Sequence, residues 1–69
     1  MYFYHRIREL REEKKESQKA IAELLGTTQQ QYYLYESGKR EIPFHLVSIL
    51  ADFYGVSLDY IAGRSDSRN

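Results

Sequence analysis

Cysteine is absent from this 69-residue sequence, which removes disulfides, thiolate metal sites and cysteine nucleophiles together. Histidine is scarce: His5 and His45 lie far apart, and neither sits in a metal-ligand spacing. There is no glycine-rich phosphate loop and no nucleophile motif, so neither catalysis nor a metal or cofactor is expected. Long apolar runs are missing too. Met1-Tyr2-Phe3-Tyr4 is too short for a signal peptide or a membrane span, so the expected setting is cytoplasmic, with no membrane partner. An excess of charge of either sign is also lacking, since ten basic residues meet ten acidic ones. That balance argues against strong non-specific binding to nucleic acid, although only the field on the presented face matters.

Strand signals are absent as well, because nothing alternates apolar and polar over a useful length. What is present is helical punctuation from one end to the other. The first helix is expected over about Phe3 to Lys15, with Phe3, Ile7 and Leu10 on one face and solvated pairs such as Arg8 with Glu12 elsewhere. Ser17 caps a second helix over about Gln18 to Leu25, which Gly26 stops, with Ile21, Ala22 and Leu25 facing inward. Thr28 and Gln31 make a capping box for a third helix that Gly38 ends. Pro43 fits the first turn of a fourth helix running to Tyr54, with Gly55 as its left-handed exit. Ser57 caps a short fifth helix through Ala62, Gly63 closes it, and the polar tail of residues 64–69 is expected to fray. The fold class is therefore an all-α five-helix bundle, one domain over residues 1–69 with no linker or repeat. A chain this short buries only about 60% of its unfolded surface, so good packing is needed.

Several local sequences occur in a specific joint order: Leu10-Arg11, Ser17-Gln18, Ile21-Ala22, Leu25-Gly26, Tyr35-Glu36-Ser37-Gly38-Lys39-Arg40, Pro43, Leu50-Ala51 and Gly55-Val56-Ser57-Leu58-Asp59-Tyr60. In these marks the chain resembles the phage-repressor and Cro type of helix-turn-helix protein, the XRE family, over residues 6–66. The resemblance implies a lambda-repressor-like domain whose second and third helices, within residues 17–37, form the helix-turn-helix. It also implies a transcriptional regulator, commonly a repressor, that binds double-stranded operator DNA as a homodimer on an inverted repeat. Arg11 and Glu36 match two positions that the family pairs across helices one and three.

Helical geometry distributes the roles on the third helix. Tyr32 and Tyr35 fall on one side and face inward, whereas Gln29, Gln30, Tyr33 and Leu34 fall on the other. A glutamine amide gives one hydrogen bond and takes another, matching the N6 and N7 edge of adenine, and such a pairing discriminates by roughly 1–3 kcal/mol. Leu34 would touch a thymine methyl and Tyr33 a phosphate; the alternative is an exposed leucine beside a half-buried tyrosine. Gln18 would either reach a phosphate or brace Gln29. Ser37, Lys39 and Arg40 would hold the DNA backbone, with Lys19, Thr27 and Thr28 as weaker candidates.

The fourth helix carries two apolar stripes. Phe44, Val47, Leu50, Ala51 and Tyr54 make the inward one; Leu46, Ile49 and Phe53 make another. With Leu58, Tyr60 and Ile61, the second stripe would form a two-fold dimer interface; alternatively Leu46 and Phe53 complete the core and Ile49 is singly exposed. Leu24 stands where a polar residue is expected. The same apolar surface supports a second functional class, a protein-binding adaptor or antitoxin with a protein partner.

Overall fold

The computed structural model describes residues 4–69 and, among them, five α-helices and no strand. They are α1 (Tyr4–Glu13), α2 (Gln18–Leu25), α3 (Gln29–Glu36), α4 (Phe44–Tyr54) and α5 (Leu58–Ile61). Phe3, expected on the inner face of the first helix, lies outside the described residues.

The short hydroxyl side chains set the helix starts. Ser17, Thr28 and Ser57 each stand in an extended conformation, and their Oγ atoms accept from the N–H groups of Ala20 (3.0 Å), Gln31 (3.1 Å) and Tyr60 (3.0 Å). The capping box at Thr28 is half formed. Gln31 turns its Nε2 to the Tyr35 hydroxyl at 3.1 Å, one turn ahead, in place of the N-cap backbone. Pro43 stands one position earlier than expected, as the extended residue whose carbonyl accepts the first N–H groups of α4. α1 ends at Glu13, and Lys15 adopts the left-handed conformation, with φ of 59°, that lets Glu16 N–H return to the Arg11 carbonyl.

One apolar core joins all five helices. It is built from Ile7, Leu10, Ile21, Ala22, Leu25, Tyr32, Tyr35, Leu46, Val47, Leu50, Ala51, Tyr60 and Ile61, with Ile42 supplied by the loop before α4. α3 packs against α2 and α1, while α4 packs on α5 and α5 on α1, so the helix-turn-helix pair is backed by the first helix.

Three expectations are corrected. Phe44, placed in the inward stripe, is 68% exposed, and Leu46 is buried in its stead. Tyr60 and Ile61, placed in a dimer surface with Leu46, are also core residues, at 6% and 1% exposure. Ile49, Phe53 and Leu58 do stand exposed, at 36–37% each. The tail is not frayed. Ser57 N–H donates to the Arg68 carbonyl at 2.7 Å, and the Arg68 guanidinium grips both carboxylate oxygens of Glu13 at 2.6 and 2.8 Å. Arg6 meets Asp66 at 3.2 Å, and the Arg6 and Arg68 guanidiniums lie 4.1 and 5.3 Å from the Tyr60 ring centre. Leu24 is exposed on α2, and nothing in the structure explains an apolar residue there.

Candidate nucleic-acid interface

An eight-residue helix has two sides, and α3 divides its residues between them. Tyr32, Tyr35 and Glu36 are buried; Gln29, Gln30 and Tyr33 are exposed, and Leu34 is half-buried. The division follows from the spacing of three and four that brings 29, 30 and 33 to one face.

The orientation of α3 is fixed from below by Glu36. Its carboxylate accepts from Arg11 Nε at 2.7 Å and Arg11 Nη2 at 2.8 Å, a bidentate geometry, and from Gln18 Nε2 at 3.2 Å. Arg11 Nη1 also donates to the Glu16 carbonyl at 2.8 Å. One charged cluster thus links α1, the turn before α2, the first residue of α2 and the last residue of α3. Burial pushes the Glu36 carboxyl up. The Arg11 hydrogen bonds, with help from the Tyr32 hydroxyl and the Gln18 amide, outweigh that and bring it below the ordinary range. The Tyr32 hydroxyl approaches this charge without hydrogen-bond geometry, and among the described residues neither it nor the buried Tyr54 hydroxyl has a hydrogen-bond partner. Burial next to Glu36 raises both phenols, that of Tyr54 to about 12.

Gln18 has a partner that sequence reasoning did not name: its amide Nε2 donates to Glu36. Its side chain also borders an open groove of about 460 Å³ whose other walls are Gln29, Gln30 and Tyr33. A second depression, of about 230 Å³, is lined by Arg8, Arg11, Gln18, Tyr33, Glu36 and Ser37. Gln18 and Tyr33 border both.

The candidate phosphate-holding residues are mostly exposed. Lys39 follows the end of α3, with Nζ 5.8 Å from the Tyr33 ring centre. Arg40 and Lys19 are exposed. The Thr28 hydroxyl is exposed while serving as the α3 cap, and the Ser37 hydroxyl donates to the Leu34 carbonyl at 3.3 Å. Arg8 was left out by sequence reasoning. Its i,i+4 relation to Glu12 reads as a solvated pair, and no periodicity reveals that it shares a depression with α3. Among the described residues no cluster of His, Cys, Asp or Glu suits a metal ion, and no helix is long and apolar enough to cross a membrane.

Comparison with known proteins adds sequence likeness to this geometry. A family model described as helix-turn-helix matches residues 7–61. The uncharacterized HTH-type transcriptional regulator YobD of Bacillus subtilis is 36% identical over 64 residues, covering 93% of this chain and 57% of that protein. The HTH-type transcriptional regulator AnsR of the same organism is 35% identical over 63 residues, covering 91% and 54%. A third relative there, the SPbeta prophage-derived uncharacterized HTH-type transcriptional regulator YonR, is 37% identical over 59 residues, covering 86% and 55%. The chain therefore spans a little over half the length of these curated relatives. No solved structure matches it significantly.

Proposed function

The chain belongs to the helix-turn-helix family, and from that premise we propose that it is a transcriptional regulator that binds duplex DNA with α3 in the major groove. The observation that carries this reading is the two-sided α3: Tyr32, Tyr35 and Glu36 anchor it, and Gln29, Gln30 and Tyr33 line an open groove. Gln29 and Gln30 read adenine edges, and Leu34 meets a thymine methyl. Lys39 and Arg40, with Lys19, Thr28, Ser37 and the Gln18 end of α2, hold phosphates and set the register without reading sequence. The protein acts in the cytoplasm, without enzymatic activity, and represses by occupying its site.

A second copy completes the reader. Ile49, Phe53 and Leu58, joined by Phe44, are large apolar side chains left exposed by α4 and α5, and pairing them about a two-fold axis gives an isologous dimer. Its two α3 helices then face half-sites of an inverted repeat about 10 bp apart, centre to centre.

The rival reading, an adaptor or antitoxin that holds a protein, draws on the same patch and on the zero net charge. Titration of ¹⁵N-labelled protein with a mixed-sequence duplex at low salt separates the two. DNA binding moves the amide signals of residues 29–34 and the side-chain amides of Gln29 and Gln30. Absence of those shifts would leave the adaptor as the better reading.

A further inference from the structure

Two arginines of α1 border the depression beside α3, and they are placed differently. Arg11 is fully engaged, with its guanidinium bonded to Glu36 and to the Glu16 carbonyl. Arg8 meets Glu12 through one nitrogen at 3.3 Å, and both side chains are more than half exposed, at 63% and 55%. A pair that exposed holds weakly and yields to a better anion.

The depression around Arg8 has the character of an anion site. Glu36 also lines it, but that carboxylate is neutralised by Arg11. The Ser37 hydroxyl is already donating to Leu34. The lining residues that stand exposed with donors to offer are Arg8 and Tyr33. Its location fits as well. Ser37 lies eight residues beyond Gln29, about 12 Å along the helix axis, and the major groove is about 12 Å wide. With Gln29 at base edges, the Ser37 end of α3 reaches the groove wall, where the sugar–phosphate backbone runs.

We propose that this depression receives a backbone phosphate of the bound duplex and that Arg8, from α1 and outside the helix-turn-helix pair, is its guanidinium clamp. The inference rests on the DNA-binding reading given above. Arg8 exchanges Glu12 for the phosphate, a charge-assisted and bidentate partner.

The test is fluorescence anisotropy with a labelled mixed-sequence duplex across a series of salt concentrations. Each phosphate contact contributes about −0.9 to the log–log slope. Arg8→Ala should make the slope shallower by about that amount, and Arg8→Lys, which keeps the charge, should largely restore it. Lys14→Ala removes the same charge from the turn just after α1, where Lys14 Nζ lies 5.0 Å from the Phe53 ring centre, and should leave the slope unchanged. An equal change in Lys14→Ala, or none in Arg8→Ala while Lys39→Ala loses a contact, overturns the clamp and leaves the DNA reading intact. Binding of the parent protein that ignores salt overturns both.

Discussion

Glu36 shows how one residue can be structural while standing next to a functional surface. Its carboxylate is buried with Arg11 and Gln18 as donors, and these hold its folded pKa below the 4.5 of the free group. A carboxyl shifted down in the folded state adds stability above its unfolded pKa and loses it as pH falls through the folded value. Arg11→Met leaves the buried charge uncompensated and should cost about 3 kcal/mol at neutral pH. The loss should shrink in acid, as the Glu36 carboxyl of the variant, raised by burial once Arg11 is gone, takes a proton and the parent then loses its ion pair as pH falls through its lowered folded value. Urea unfolding of both proteins at neutral and acid pH measures this; a pH-independent difference would show that packing of Arg11, and not its charge, matters. The pairing of Arg11 with Glu36 was implied in advance by the family resemblance. The third member, Gln18, was not. Its link to Glu36 joins residues 18 apart in sequence, and a surface glutamine at a helix start has no signature distinguishing that partner from a phosphate.

At the scale of elements, local chemistry was legible and long-range polar contacts were not. Ser17, Thr28 and Ser57 cap the helices they were expected to cap, because capping depends on a residue and the next turn. Tyr32 and Tyr35 were placed inward correctly because α3 is apolar on one side and amide-rich on the other. α4 failed that test. It is apolar on most of its circumference, so periodicity could not fix its rotation, and Phe44 and Leu46 exchanged places. The docked tail was invisible for a different reason: Arg68 pairs with Glu13 across 55 residues, and isolated charges carry no periodic signal. The Arg68 guanidinium in turn holds the Glu13 carboxyl below its usual range. That docking has a direct readout. The Ser57 amide should exchange slowly with solvent in the parent protein and faster in Arg68→Ala, which loosens the segment whose carbonyl it bonds. Equal exchange rates would mean that the tail stays in place without its side-chain grip.

The whole molecule combines zero net charge with membership of a DNA-binding family, and the two are compatible because only the field on the presented face matters. Glu13 and Asp66 serve the tail and Glu36 the interior, while Lys19, Lys39 and Arg40 are exposed and Lys39 lies over the Tyr33 ring. The dimer proposed through α4 and α5 would make a geometric demand on the operator. In gel shifts, moving inverted half-sites away from a separation of about 10 bp by half a helical turn should weaken binding sharply, and Ile49→Glu should abolish that sensitivity along with the dimer. Indifference of the parent protein to spacing would contradict the two-fold arrangement. The central claim, that α3 reads bases through Gln29 and Gln30, is tested most directly by selection from a random duplex pool at moderate salt, performed in parallel with the parent protein and the Gln29→Ala, Gln30→Ala double variant. The expected result is an inverted repeat with A·T-rich half-sites for the parent and loss of preference at defined adenines for the variant. The same motif from both proteins, or no motif from either, would contradict it.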